Sequence, residues 1–129
     1  MNYQRNSKPW LNTIFAQFQH SDLEHELKRL AKVLQCKIVW GENESPDIIA
    51  LGNFVSIVDR DSIGVSNWEL FLKYRMESDD STPCIIIDKI TTFEIPKLAG
   101  FLYIDISQKG SIQKILALVT AIKVQSRQT

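Results

Sequence analysis

Pro83-Cys84-Ile85-Ile86-Ile87-Asp88 is the stretch that decides the fold. A strand with one face in water alternates apolar and polar residues. A run that is apolar at both parities, and rich in β-branched side chains, predicts a strand covered on both faces, as strands of a parallel sheet are. Ile48-Ile49-Ala50-Leu51, entered through Pro46-Asp47 and closed by Gly52, reads the same way and is expected to be the central third strand. Phe54–Val58 (FVSIV) is a further β-prone run, open to reading as a short extra strand or as an ordered loop.

Outward from these runs, strand-like and helical patterns alternate. Thr13–Phe18 (TIFAQF) favours a first strand, although Trp10, Ile14 and Phe18 also recur at helical spacing. Ser21-Asp22-Leu23-Glu24 has the S-x-x-E form of a capping box, and Leu23, Leu27, Leu30, Val33 and Leu34 then share one helical face. Cys36–Trp40 (CKIVW) predicts a half-exposed strand ending at Gly41. A second S-x-x-E box, Ser66–Glu69, opens a helix with Trp68, Phe71, Leu72, Arg75 and Met76 on its inward stripe. Gly100 precedes a last strand, Phe101–Ile106 (FLYIDI). Ser111 is expected to cap a final helix, with Gln113, Lys114 and Lys123 opposite its apolar side. This alternation predicts a three-layer α/β/α domain around a mainly parallel five-stranded sheet, with a ligand crevice at the strand carboxyl ends. The expected bounds are a loose arm over 1–12, one domain over 13–124 and a polar tail over 125–129.

Composition narrows the classes. With 129 residues, 44% hydrophobic and 23% charged, the chain can bury one core and lies far from the disordered corner. Fifteen Lys and Arg balance fifteen Asp and Glu, so no global field draws the domain to nucleic acid or to a membrane surface. The weak self-repulsion of such a chain leaves a homodimer, or docking to another protein, as the expected kind of association. No apolar run approaches the roughly 20 residues of a membrane-spanning helix. Cys36 and Cys84 lack C-x-x-C spacing and follow no leader-like segment, so reduced, buried thiols in a cytoplasmic protein are expected.

The order of elements resembles the receiver domain of bacterial response regulators over about Thr13 to Val124. The segments that carry the likeness are SDLEHELKRLAKVL, PDIIAL, NWELFLKYR, TPCIIID and FLYIDISQKGSIQKILALV. A receiver places a phosphate-accepting aspartate after its third strand. It adds an acidic pair after the first strand for Mg²⁺, a Thr or Ser after the fourth and a Lys after the fifth. Laid onto this sequence, the acceptor position falls on Gly52 with Asn53 beside it, and the acidic pair on Phe18, Gln19 and His20. The hydroxyl position falls on Asp88 and the lysine position near Ile106. The resemblance therefore implies a degenerate, receiver-like domain of flavodoxin-like fold. It would hold no metal or cofactor and would act in signalling or transcriptional regulation by dimerisation, partner docking or small-ligand sensing.

Some side chains invite chemistry of their own. Asp59, Arg60 and Asp61 cluster after the third strand, as a solvated turn or as a displaced acceptor or Mg²⁺ site. Asp88 and Asp105 end neighbouring strands, so a parallel sheet would set both at one crevice edge. There they could bind a cation, share a proton, accept turn hydrogen bonds, or in the case of Asp88 pair with Lys89. With Gly52 and Asn53 these aspartates form the alternative reading, a small ligand-binding protein or enzyme using the crevice. His20 and His25 lack an evident partner in sequence. Trp40, Trp68, Phe71 and Tyr103 are core or a partner surface. In the last helix Ile112, Ile115, Leu116, Val119 and Ile122 make an apolar set wide enough to offer an interface. No nucleophile elbow, phosphate loop, dinucleotide fingerprint or zinc motif occurs, so no enzyme activity is expected.

Overall fold

Val55-Ser-Ile-Val-Asp59 is the middle strand of the sheet, buried along its whole length. The structure, a computed structural model, describes residues 12–41, 54–78, 81–88 and 100–127. Five strands, β1 (Thr13–Gln17), β2 (Lys37–Trp40), β3 (Val55–Asp59), β4 (Cys84–Asp88) and β5 (Phe101–Asp105), pair in the order β2-β1-β3-β4-β5. Every pairing is parallel. Among the described residues there are four helices: α1 (Ser21–Leu34), the single turn α2 (Arg60–Ile63), α3 (Val65–Ser78) and α4 (Ser111–Arg127). This is the strand order of a flavodoxin-like, doubly wound sheet.

The third strand corrects the sequence reading. Ile48–Leu51 lies outside the described residues, and the place between β1 and β4 belongs to the second β-prone run. Both runs carry the apolar content that a central strand needs, and periodicity does not rank them. Only Val55–Asp59 ends in a carboxylate that caps the next helix: Asp59 Oδ1 accepts the Asp61 amide at 3.0 Å.

Strand parity builds two cores. Ile14 and Ala16 of β1, Val55 and Ile57 of β3, Ile85 and Ile87 of β4 and Ile104 of β5 face Leu23, Leu27 and Ala31 of α1 and Ile115 and Val119 of α4. The other parity, Phe15, Val58, Cys84 and Ile86, packs against Ile63 of α2 and Trp68 and Phe71 of α3. Two covered faces explain why β4 is apolar throughout. They also separate the thiols, since half-buried Cys36 packs into the first core and buried Cys84 into the second.

The helix starts differ from those expected. Ser21 and Ser111 are the first helical residues and Ser66 the second of its helix, so each serine lies one or two positions too far in to cap. His20 is the N-cap of α1, with no side-chain capping bond, and the Ser111 hydroxyl donates back to the Ile106 carbonyl at 3.2 Å. On α1, Val33 is 76% exposed and Ala31 takes the inward place. On α3, Met76 is exposed while Arg75 is buried, donating to the Thr82 carbonyl at 2.6 Å and standing 5.0 Å from the Phe101 ring centre. On α4, Lys123 is buried rather than outward, and its ammonium donates to Asn12 Oδ1 at 2.7 Å. The helix continues to Arg127 and takes in the start of the expected tail. No helix among the described residues is long and apolar enough to cross a membrane.

Gly41 closes β2 for a steric reason. A Cβ there would stand 2.2 Å from Phe15 Cζ, so only glycine lets the ring fill the sheet end while the Gly41 amide donates to the Ala16 carbonyl at 2.9 Å.

Candidate functional site

All five strands run the same way, so their carboxyl ends share one edge and the residues that follow them meet there. β1 delivers Gln17, Phe18, Gln19 and His20; β3 delivers Asp59 and, through α2, Arg60 and Asp61; β4 ends on Asp88 and β5 on Asp105. Asp59 ends the strand that lies between β1 and β4, and Gly52 and Asn53 lie outside the described residues.

The crevice carboxylates are held by cations or donors of the same chain. His20 Nε2 meets Asp59 Oδ2 at 2.9 Å, with the histidine side chain 31% and the aspartate 11% exposed. An ionised carboxylate only accepts, so the proton of that bond sits on Nε2. With Asp61 N–H on its other oxygen, Asp59 is engaged on both sides. Arg60 Nη1 donates to Asp88 Oδ2 at 2.9 Å, and its guanidinium lies 5.3 Å from the Trp68 ring centre. Asp88 is thus paired with Arg60 across β3 and β4; Lys89 lies outside the described residues.

Asp88 and Asp105 are register partners on β4 and β5, as the parallel arrangement predicts. They do not act as a pair. Asp105 accepts the Ser107 hydroxyl at 2.6 Å, the Ser107 amide at 3.0 Å and the Gln108 side chain at 3.3 Å. The Ser107 hydroxyl and then its amide hold the Asp105 carboxyl below the usual aspartate range. Beside them burial, followed by the nearby Cys84 thiol, pushes the Tyr103 phenol up to about 12. Among the described residues no three His, Cys, Asp or Glu side chains gather as a metal site.

Clefts open along this edge among the described residues. One, of about 620 Å³, lies between β1, β2 and α1 and is lined by Phe18, Gln19, Glu24, Lys28, Trp40 and Ser62, among others. A second, about 320 Å³, runs beside Arg60, Trp68 and Asp88, and a third, about 350 Å³, beside Gln19, His20 and Ser111. Of the apolar set on α4, Ile115 and Val119 are fully buried, and Ile112, Leu116 and Ile122 are half-buried against the same core. Of the aromatic residues, Trp68 and Phe71 are core, with Phe71 stacked on Phe101 at 5.6 Å, whereas Trp40 is half-buried at a cleft wall. His25 is exposed on α1.

The ion pairs were not legible in the sequence. His20 lies 39 residues from Asp59 and Arg60 lies 28 from Asp88, and no local spacing links them. Adjacency of the β1 and β3 ends is the one signal that could have joined His20 to Asp59, and it required the correct third strand. No family model matches the chain, and no curated protein or solved structure matches it either.

Proposed function

We propose that the chain is a non-enzymatic, receiver-like regulatory module that works by docking to a protein, a second copy of itself included, without divalent-metal or phosphoryl chemistry. The observation that carries this reading is the double ion pair, His20 with Asp59 and Arg60 with Asp88, each at 2.9 Å. In a working phosphoacceptor the carboxylate after the third strand would face Mg²⁺ and an incoming phosphoryl group. Here a metal would have to displace the His20 imidazole from Asp59 and the Arg60 guanidinium from Asp88, and β1 brings Gln17, Phe18, Gln19 and His20 in place of an acidic pair.

Docking is supported by α3, which leaves Val65, Leu70 and Met76 exposed. A cytosolic setting in signalling or transcription suits two thiols on opposite faces of the sheet, which cannot bridge within the chain.

A second reading has a specific observation in its favour: Asp59 stands at the carboxyl end of β3, where a receiver carries its acceptor. Sedimentation over a concentration series, with and without Mg²⁺ and beryllium fluoride, separates the two. The docking reading predicts identical profiles in both conditions, whereas a change of association state on adding beryllium fluoride supports the phosphoacceptor.

A further inference from the structure

The cleft between β1, β2 and α1 suggests a ligand that the docking reading does not require. We infer that it binds a neutral, planar nitrogen heterocycle of the nucleobase kind, stacked on Trp40 and read at its edge by Gln19 and Ser62. The cleft, about 620 Å³, lies within the range of small-molecule pockets and sits at the carboxyl ends of β1 and β2, reaching Ser62 of α2. By reaching from the end of β1 to Ser62, which follows β3, the cleft borders the point where the crossover through α1 and the crossover through α3 leave on opposite faces, the place where doubly wound sheets bind ligands.

The lining selects the class. Trp40 supplies a rigid aromatic platform, steadied by Phe18 in an edge contact at 5.5 Å. Lys28 and Glu24 face the cleft but form an ion pair with each other at 2.8 Å, so their charges cancel. From the described lining residues a phosphate, a polyanion or a metal ion therefore gains little net field. A lipid chain fares no better, because amide, hydroxyl and ionic side chains make up most of the wall. A flat ring with donors and acceptors around its rim uses what remains: stacking on an indole is tolerant of base identity, while glutamine amides pair with such rims. The Lys28 ammonium stands 5.8 Å from the Trp40 ring centre, at the outer reach of a cation–π contact, and can yield that place to a ring while keeping Glu24.

Calorimetric titration of the whole chain with adenosine, guanosine, cytidine and uridine tests the inference. At least one nucleoside is expected to bind saturably at one site, with an affinity that changes little between low and high NaCl. Trp40→Ala is expected to weaken that binding about ten-fold or more. Because Trp40 also packs on the core, Gln19→Ala, at an exposed position, provides the second variant; it is expected to weaken binding and to alter the preference among the four nucleosides. Absence of saturable binding by the wild-type chain overturns the inference, and so does unchanged affinity in a folded Gln19→Ala variant.

Discussion

His20 and Asp59 join the carboxyl ends of β1 and β3 through a bond of 2.9 Å between imidazole Nε2 and carboxylate Oδ2. The same carboxylate caps α2, so one aspartate ties together the first strand, the middle strand and the helix that leads to the other face of the sheet. This geometry makes the crevice a set of closed internal contacts rather than an open acidic pocket.

Removing the two partners should therefore cost different amounts. His20→Ala deletes one charge-assisted bond at a partly exposed site and is expected to lower stability by about 1 kcal/mol. Asp59→Ala deletes that bond and the helix cap, and about 2 kcal/mol is expected. Urea midpoints of the two variants check this, and equal losses would count against the double role of Asp59.

Gly41→Ala should be destabilising although the residue follows an edge strand. Its Cβ would enter the space of the Phe15 ring, and overpacking of this kind costs roughly 1–3 kcal/mol. The smaller side chain in Phe15→Leu should relieve part of the added cost, so a double-mutant cycle in urea should show favourable coupling. Additive losses would mean that Phe15 is not what Gly41 makes room for.

Gln35→Gly should move stability the other way. Gln35 ends α1 at φ 59°, in the left-handed region, while its amide donates to the Ala31 and Lys32 carbonyls. Glycine adopts that conformation without the Cβ penalty, and a gain of about 0.5–1 kcal/mol is expected in thermal or urea unfolding.

Alkaline pH should expose the burial of Tyr103. Its phenol keeps its proton to about 12 in the folded chain, against 10.0 for a free tyrosine. Below pH 10 both states are protonated and stability is unaffected. Between about pH 10 and 12 the unfolded chain ionises first, so stability falls as pH rises. Urea unfolding at stepped pH should show this fall, and Tyr103→Phe should flatten it.

The parts of this fold that the sequence disclosed are those that rest on burial. Cys84–Ile87 declares a doubly covered strand because a residue at either parity meets a core, and Leu23 and Leu27 declare the inner face of α1. Helix starts were less legible: an S-x-x-E pattern fits several registers, and the helices begin at Ser21 itself and one residue before Ser66. The third strand was misread because two adjacent apolar runs compete for one place in the sheet. That error left Asp59 unrecognised as a strand end and hid its bond to His20, which depends on contact between strands far apart in sequence.

Intact-mass analysis after incubation with acetyl phosphate and Mg²⁺ tests most directly whether the crevice carboxylates are already occupied. The wild-type chain is expected to carry no phosphoryl adduct. An adduct mapped to Asp59 in the wild-type chain would contradict the account, because it would show His20 yielding its partner to a metal and a phosphoryl group.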